Sequence, residues 1–321
     1  MKVLSWLAAA VTCVVSTSAH AQLVPKEIAT LTTVAKPWSF IMAENGRVAA
    51  SVTADGQLRV WSMPEGAPLP TINLGTRQIY LLTISSDGRT IVAGDFSGEY
   101  SIWQTASGVE QAHLRLGFYP STLAFSPDGS RLAIAPVGEP IQIYDVAATR
   151  KLFELQRPVG GTAAIAFSRD GTRLAAADAD TVVRFYEART GELLKTNADF
   201  LLEPLAAAFS ADGKQLLTGG GDKLLATLDV ASGTTARKSG KLDDPVASVD
   251  LSPDGAWSAA LLMHADNLTM PAPVIVSEAA TGRRVTQWLP PSVALWSGWT
   301  DDGRLLVATG DDRAVHIWHV R

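Results

Sequence analysis

The 321-residue sequence is almost free of cysteine, since its single cysteine, Cys13, lies in an apolar leader. Residues 3–16 form an uncharged apolar run, and Ala19-His20-Ala21 follows as an A-x-A pattern. A positive start, a short apolar segment and small residues at the end are typical of a secretory signal peptide. We therefore expect residues 1–21 to be a signal peptide that is cleaved after Ala21. This indicates a periplasmic or secreted protein whose mature chain, residues 22–321, contains no disulfide.

Long hydrophobic runs and an excess of basic residues are also absent from the sequence. After residue 21, no uninterrupted apolar stretch reaches the roughly 20 residues that a membrane-spanning helix needs, so we expect no membrane span. The formal net charge is −5. This balance argues against a nucleic-acid partner, because nucleic-acid-binding domains present a basic face. With 47% hydrophobic and 18% charged residues, the composition is that of a globular protein.

The motifs that carry common chemistries are missing as well. The sequence has no Cys-x-x-Cys-His haem motif, no Gly-x-Ser-x-Gly nucleophile elbow and no Walker phosphate-binding loop. Outside the leader it has four histidines, His113, His264, His316 and His319, and they do not occur at a spacing typical of metal ligands. The sequence therefore predicts no catalytic residue, no cofactor and no metal site.

What the chain does contain is one turn, repeated. The stretch FSPDGSRLAIA at Phe125 has relatives at Phe167, Phe209 and Leu251. The turn glycine recurs at intervals of 42, 41, 42, 42, 42 and 48 residues, at Gly46, Gly88, Gly129, Gly171, Gly213, Gly255 and Gly303. Asp or Asn precedes it each time, and Asp-Gly or Asn-Gly between apolar segments is a strong hairpin signal.

Each period predicts four short strands joined by turns. A large aromatic or apolar residue stands fifteen positions after most marker glycines, and a second turn position, usually glycine, follows five residues later. In the sixth period an insertion shifts the equivalent position to Ser277. Many strands are apolar on both faces, which indicates burial on both sides. Seven such periods predict an all-β, seven-bladed β-propeller of four-stranded antiparallel blades over residues 22–321.

The segments ADGQLRVW, VAGDFSGEYSIW and TGDDRAVHIW resemble the WD-repeat family. The turn aspartate of that family, six residues before the aromatic position, is matched by Asp55, Asp180, Asp222 and Asp312, whereas Ser97, Gly138 and Pro271 depart from it. The Gly-His dipeptide of the family is absent. The resemblance covers Trp38 to Arg321 and implies a propeller with degenerate repeats.

The chain ends predict how the ring closes. The last repeat stops three residues after Trp318, without a fourth strand. The segment EIATLTTV, residues 27–34, precedes the first repeat and alternates like an outer strand. We expect it to complete the seventh blade and so to cover a strand edge that would otherwise be open to aggregation.

One rim of the propeller is the candidate partner-binding site. The sixth repeat carries an insertion, Met263–Val274, on the same face as the loops that connect the blades. Aromatic, Met and Pro residues gathered on one rim suit an apolar binding patch, although a Trp there can equally pack between blades or plug the channel. The candidate residues are Trp38, Tyr80, Tyr119, Met263, His264, Met270, Trp288 and Trp296.

These observations favour a non-enzymatic, monomeric protein-interaction scaffold that binds another protein. Two alternatives stay open, because seven-bladed propellers also include lactonases and quinone-dependent dehydrogenases. The first is a propeller enzyme or a subunit of a redox complex, in which Asp178, Asp180, Asp222 and Asp311 would be the nearest acidic candidates. The second is binding of a small ligand or glycan by the same aromatic rim.

Overall fold

The computed structural model describes residues 26–32, 37–43, 45–63, 65–118, 120–156, 158–264, 270–294, 296–299, 305–310 and 314–319. Every regular element in this part of the chain is a β-strand. No helix among the described residues has the length and apolarity required to cross a membrane. The proposed signal peptide, residues 1–21, lies outside the described residues.

The strands run along the chain in short antiparallel sets. The first ten are β1 (Lys26–Thr32), β2 (Pro37–Met42), β3 (Val48–Thr53), β4 (Gln57–Ser62), β5 (Ala67–Pro68), β6 (Ile72–Asn73), β7 (Ile79–Ile84), β8 (Thr90–Asp95), β9 (Glu99–Gln104) and β10 (Glu110–Arg115). The next eight are β11 (Pro120–Phe125), β12 (Arg131–Pro136), β13 (Gln142–Asp145), β14 (Arg150–Glu154), β15 (Thr162–Phe167), β16 (Arg173–Asp178), β17 (Val183–Glu187) and β18 (Leu193–Asn197). The last eleven are β19 (Pro204–Phe209), β20 (Gln215–Gly220), β21 (Leu225–Asp229), β22 (Thr235–Lys238), β23 (Val246–Leu251), β24 (Trp257–Leu262), β25 (Val274–Glu278), β26 (Arg284–Trp288), β27 (Ser297–Trp299), β28 (Leu305–Gly310) and β29 (Ala314–His319).

These strands form seven separate antiparallel sheets, one for each sequence repeat. The inner strands β2, β7, β11, β15, β19, β23 and β27 are neighbours in that order, and β2 also contacts β28, which completes a ring. The all-β propeller of antiparallel blades that the sequence predicts is therefore confirmed.

The expectation of four strands in every blade is wrong for the first blade. Six sheets have four strands, whereas the sheet of β2, β3 and β4 has both β5 and β6 paired to the outer side of β4. Pro68 is the last residue of β5, and Pro70 lies between β5 and β6. Proline has no backbone N–H to donate to a strand ladder, so the outer strand is interrupted and continues as two short pieces.

The predicted ring closure is confirmed. Strand β1 pairs antiparallel with β29, from Lys26 opposite His319 to Thr32 opposite Ala314, so the N-terminal strand is the outer strand of the last blade. A side-chain contact supports this pairing, since Oε1 of Glu27 lies 2.7 Å from Nδ1 of His316. His316 is buried and stacks on Trp318 at a ring-centroid distance of 5.5 Å.

The repeated turn forms because a serine and an aspartate satisfy its backbone. In the fourth blade, the Ser168 hydroxyl donates to Oδ1 of Asp170 at 2.6 Å and accepts from Arg173 N at 2.9 Å. Oδ1 of Asp170 also accepts from Thr172 N, and Gly171 has a φ of 68° that favours glycine. The same Ser-to-Asp hydrogen bond recurs in the second, third, fifth and sixth blades.

The second strand of each blade forms the centre of the core. Strands β3, β8, β12, β16, β20 and β24 are each buried at every position after the first. Outer strands such as β10 and β22 alternate between half-buried and exposed positions. The position predicted for Ser277 is also confirmed. Ser277 pairs with Ser258, three residues after Gly255, just as Tyr186 pairs with Leu174, three residues after Gly171 in the fourth blade.

Candidate protein-binding face

The two ends of the ring carry different connections. Because the four strands of a blade alternate in direction, the hairpins between second and third strands lie at the same end as the loops that join consecutive blades. We call this end the loop face. The opposite end, which we call the turn face, carries the repeated Asp-Gly turns and the turns between third and fourth strands.

Backbone hydrogen bonds join the loops of the loop face to one another. In the loop that connects the third and fourth blades, Leu155 N donates to Ile141 O at 2.8 Å, and Gly161 O accepts from Ala179 N at 2.9 Å. The loop is thereby tied to the hairpins of both blades that it connects. Similar bonds hold the loops on either side of it. The loop face is therefore a fixed platform, which lowers the entropy cost of binding.

The exposed large apolar side chains collect on this face. Within the part of the chain that the structure describes, nine such side chains are exposed. Seven lie on the loop face, namely Phe96, Val137, Val159, Leu201, Leu202, Met270 and Leu289. The other two, Val109 and Leu193, lie at turns between third and fourth strands. Clustered exposed apolar residues mark interaction sites more often than scattered ones do.

The insertion of the sixth blade is fastened to the preceding loop. His264 places Nδ1 2.9 Å from Oδ2 of Asp244 and Nε2 3.0 Å from the carbonyl oxygen of Pro271. Both ring nitrogens are thus used to hold the insertion in place. Met263 is half-buried, whereas Met270 is 53% exposed at the rim. Of these candidate residues, Met270 offers the most surface to a partner.

Two candidate tryptophans turn inward from the rim. Trp296 packs against Phe40 of the first blade at a ring-centroid distance of 5.5 Å and lines the axial cavity. It lies over Gly298, where a Cβ would collide with its ring. Trp288 packs against Trp318 at 5.7 Å. Both are half-buried, so they join neighbouring blades as well as reaching the rim.

Three of the predicted site residues lie where their side chains are not described. Trp38 is on β2 and Tyr80 on β7, but only their backbone positions are described, and Tyr119 lies outside the described residues. Their part in the rim therefore stays a prediction.

Polar groups without partners occur where the sixth and seventh blades meet. The indole nitrogens of Trp288 and Trp299 and the hydroxyl of Ser297 are buried and have no hydrogen-bond partner in the described structure. Such groups cost free energy unless something satisfies them. Trp288 pairs with Val274 at the end of the insertion, and Ser297 and Trp299 lie on the inner strand of the seventh blade, so three of the six such side-chain atoms among the described residues occur where these two blades meet.

The axial cavity has a volume of about 310 Å³ and is lined mainly by the inner strands. The carboxylate on its wall, Asp250, accepts hydrogen bonds from Leu251 N at 2.8 Å and from Trp299 N at 3.0 Å. Because Trp299 belongs to the next blade, Asp250 ties two inner strands together.

The acidic residues considered for a catalytic role are held in an ion-pair cluster in the fourth blade. Arg184 donates to Oδ2 of Asp178 at 2.6 Å and forms two bonds to Asp180, at 2.9 and 2.6 Å. Thr162 donates to the other oxygen of Asp178 at 2.5 Å. Burial raises the pKa of Asp178, although these hydrogen bonds oppose the shift. For Asp180 burial also raises the pKa, but the bonds from Arg184 outweigh it and the pKa is lowered.

The first blade repeats this arrangement at a more exposed position. Arg59 forms two hydrogen bonds to Asp55, at 2.9 and 2.6 Å, and Thr53 donates to the same carboxylate at 2.6 Å. The hydrogen bonds from Arg59 hold the pKa of Asp55 well below its ordinary value. In both blades an arginine four residues after the turn aspartate fixes the hairpin. Asp222 instead caps its own turn through Leu224 N, and Asp311 and Asp312 lie outside the described residues.

Among the described residues, no group of three or more His, Cys, Asp or Glu side chains converges as metal ligands would. The geometry that remains is a ring in which Asp55, Asp178 and Asp180 are engaged by arginines of their own hairpins. Its accessible apolar surface is concentrated on the loop face.

Comparisons with known proteins agree with this architecture. Residues 291–319 match the family model described as "WD domain, G-beta repeat". A stretch of 111 residues, 34% of this chain, is 29% identical to the meiotic recombination protein rec14 of Schizosaccharomyces pombe and covers 36% of it. The match therefore spans about a third of the length of that relative.

A solved structure reproduces the whole ring. The fold aligns with a chain in the "Crystal Structure of Mitotic Checkpoint Complex" with a TM-score of 0.80, covering 99% of this chain and 100% of the other. The sequence identity is 19%, so this likeness shows the fold alone. Together, the family-model match and the fold confirm the WD-repeat resemblance seen in the sequence.

Proposed function

Because the chain is a β-propeller with a WD repeat, we propose that it is a non-enzymatic scaffold that is exported and binds another protein on its loop face. The observation that carries this proposal is the placement of seven of the nine exposed large apolar side chains on that face. A partner protein can cover such residues and gain free energy from the apolar area that it removes from water.

The loop face is also the part of the ring where the repeats differ. The hairpin position that holds Asp55 in the first blade holds Ser97, Gly138, Asp180, Asp222 and Pro271 in the next five. On the turn face, by contrast, the Ser–Asp turn recurs in five blades. A partner that binds in one orientation needs surfaces that are not equivalent around the ring, and the loop face provides them.

A non-enzymatic role is supported by the way the acidic groups are used. Asp178, Asp180 and Asp55 are bound by arginines, and both oxygens of Asp250 accept backbone hydrogen bonds. Catalytic acids and bases need a proton that substrate can reach. A visible absorption band or bound calcium in the purified protein would instead favour the enzyme or redox-subunit alternative.

Site-specific photo-cross-linking tests the proposal. A photoreactive amino acid is placed at Leu289 on the loop face, 60% exposed, or at Val109 away from it, 58% exposed. Each protein is incubated with an extract of the compartment to which the mature chain is exported. We expect Leu289, but not Val109, to give a discrete protein adduct. Equal adducts from both positions, or adducts from Val109 alone, would contradict the proposal.

Export is tested separately with the leader. Residues 1–21 fused to alkaline phosphatase, which is active only where disulfides form, should give phosphatase activity on the outer side of the inner membrane. Removing the apolar run, residues 3–16, should abolish this activity. An active fusion without that run would show that the leader does not direct export.

A further inference from the structure

We propose that Val137, Val159, Leu201 and Leu202, which we call the apolar arc, bind a positively charged partner segment that carries apolar side chains. This inference rests on the proposed function, because it assumes that the loop face binds protein. It goes further by stating which part of the face is used and what chemistry the partner must have.

The apolar arc is continuous across three blades. Val137 lies in the hairpin of the third blade, Val159 in the loop to the fourth blade, and Leu201 and Leu202 in the loop to the fifth blade. Hydrogen bonds fix the loop of Val159 to the hairpins of the third and fourth blades, as described above.

The other end of the arc is fixed as well. Gly221 N, in the hairpin of the fifth blade, donates to Glu203 O at 3.0 Å. A Cβ at Gly221 would lie 3.4 Å from Cβ of Leu202, which shows how closely this hairpin and loop approach each other. Between the two ends, Val183, which follows the hairpin of the fourth blade, pairs with Asn197, just before the loop of Leu201 and Leu202. Backbone pairing therefore links the three segments of the arc through the hairpins that lie between them.

The members of the arc are unusually exposed. Val137 is 46% exposed, Val159 79%, Leu201 84% and Leu202 54%. The core of the same blades contains residues such as Leu174 and Phe185 at 1% and 0%. Four aliphatic side chains at consecutive loops leave about half or more of their surface in water, and a partner that covers them would remove this apolar area from water.

Charge around the arc selects the kind of partner. The loops and hairpins at 137–141, 155–161, 178–184, 198–203 and 220–224 contain six acidic and three basic residues. Arg184 pairs with Asp178 and Asp180, and Lys223 Nζ donates to a backbone carbonyl at 2.7 Å and keeps its charge. Lys238 of β22 is a fourth cation beside the arc and donates to Asp199 O at 2.5 Å, so the surroundings hold six acidic and four basic residues and are acidic overall.

The acidic surroundings exclude several other occupants. Nucleic acid and anionic lipid would be repelled, and a second copy of this chain would bring the same acidic loops against each other. A basic protein segment is attracted instead, and its apolar side chains can cover the arc. The exposed Glu139, beside Val137, is placed to meet a cation of such a segment.

Three fluorescein-labelled synthetic peptides test this inference with the mature protein. One repeats Lys-Leu-Ser five times, one repeats Glu-Leu-Ser five times, and one repeats Lys-Ser-Ser five times. Binding is measured by fluorescence anisotropy at low and high salt. We expect only the Lys-Leu-Ser peptide to bind, and we expect salt to weaken it, because exposed charges are screened.

Variants locate the binding surface. The triple substitution V159S/L201S/L202S should weaken binding of the Lys-Leu-Ser peptide by about tenfold or more. The control V109S, at an exposed position away from the loop face, should leave binding unchanged. The pair E139Q/E203Q should weaken binding and reduce its dependence on salt. Each variant must keep the urea midpoint of the parent protein, which shows that the ring is intact.

Three results would overturn the inference: equal binding of the Lys-Leu-Ser and Glu-Leu-Ser peptides, undiminished binding by the triple variant, or no binding of any peptide. If one of these occurs while Leu289 still cross-links a protein, the proposed function stands and the partner has a different chemistry. If the cross-link is lost as well, both proposals fail.

Discussion

The strand that closes the ring offers the sharpest test of how this fold is stabilised. Strand β1 is the first strand that the structure describes, yet it is the outer strand of the last blade. A protein that starts at residue 33 would lack β1 and keep every other described strand. We expect this truncated protein to be much less stable than the protein that starts at residue 22.

The magnitude follows from the pairing. Strand β1 pairs with β29 at six positions, from Lys26 to Thr32 with one bulge. An antiparallel ladder of this length contributes about five hydrogen bonds. At a net value of about 1 kcal/mol each, they stabilise the fold by roughly 5 kcal/mol. Globular proteins have a total free energy of unfolding of about 5–15 kcal/mol, so the loss would be a large part of it.

Glu27 adds a side-chain contribution to the same contact. Its Oε1 lies 2.7 Å from Nδ1 of His316, a histidine that is only 6% exposed. Removing β1 exposes this imidazole and the backbone edge of β29 to water. The unpaired edge is also a template for intermolecular strand pairing. The truncated protein should therefore aggregate as well as lose stability.

Urea unfolding followed by tryptophan fluorescence measures the effect. The truncated protein should unfold at a lower urea midpoint, and a synthetic peptide of residues 22–36 should restore part of the loss, whereas a scrambled peptide of the same composition should not. An unchanged midpoint in the truncated protein would refute the reasoning, because it would mean that β1 does not close the ring. Rescue by the scrambled peptide would also refute it.

Three further predictions follow from single side chains. Replacing Arg184 with Leu should lower the free energy of unfolding by about 3–5 kcal/mol, because it leaves the fully buried Asp178 without its cation. The matched change Arg59→Leu should lower it by about 1 kcal/mol or less, because the Arg59–Asp55 pair is partly exposed. Urea unfolding compares the two variants, and equal losses would contradict the argument. Thr149→Gly should raise the free energy of unfolding by roughly 0.5 kcal/mol, because Thr149 has a φ of 49°, a backbone conformation that favours glycine. A lower melting temperature would show that the contacts of the Thr149 side chain outweigh the relief of backbone strain. The hydrogen bonds from Arg59 lower the pKa of Asp55. The ionised carboxylate therefore contributes its full stabilisation above about pH 4, and this stabilisation is lost as the pH falls. The difference in free energy of unfolding between the parent protein and D55N should shrink between pH 7 and pH 2.5, and a difference that grows on acidification would contradict the lowered pKa.

The repeated turn could be predicted because its chemistry is local. The Asp170 side chain accepts a hydrogen bond from a backbone N–H two residues away, and Gly171 adopts the positive φ of the turn. Both features depend only on residues within the turn itself. The same locality would have revealed the serine three residues before five of the seven marker glycines, whose hydroxyl completes the turn. We did not anticipate that role from the sequence, although the Ser–x–Asp–Gly pattern was visible.

The arginine–aspartate hairpins of the first and fourth blades also escaped the sequence analysis. Their signal is an arginine four residues after the turn aspartate, as in Asp55 to Arg59 and Asp180 to Arg184. In a β protein, that spacing brings the two side chains together when a tight hairpin lies between them, whereas in a helix it would do so without one. The prediction therefore requires the strand boundaries first, and these are among the features that sequence patterns fix least well.

The exposure of loop residues depends on packing that the sequence pattern does not contain. Trp288 and Trp296 were expected at the rim, and they are half-buried between blades. Leu201 and Val159, which did not stand out in the sequence, are among the most exposed apolar residues. Large aromatic residues gain more by packing between sheets than small aliphatic ones do, so a tryptophan on a loop often turns inward when a neighbouring blade is close.

The contrast between the two faces bears on where recognition can evolve. On the turn face, each aspartate is committed to its own turn, so changing it destabilises a blade before it alters any binding surface. The hairpins of the loop face tolerate Asp, Ser, Gly and Pro at one position because each blade satisfies its backbone differently, as Asp95 does by accepting from Ser97 N and Glu99 N. Substitutions there can change the surface without unfolding the ring. A partner-binding site is therefore expected to arise on the parts of the loop face that lie outside the hairpins held by Arg59 and Arg184.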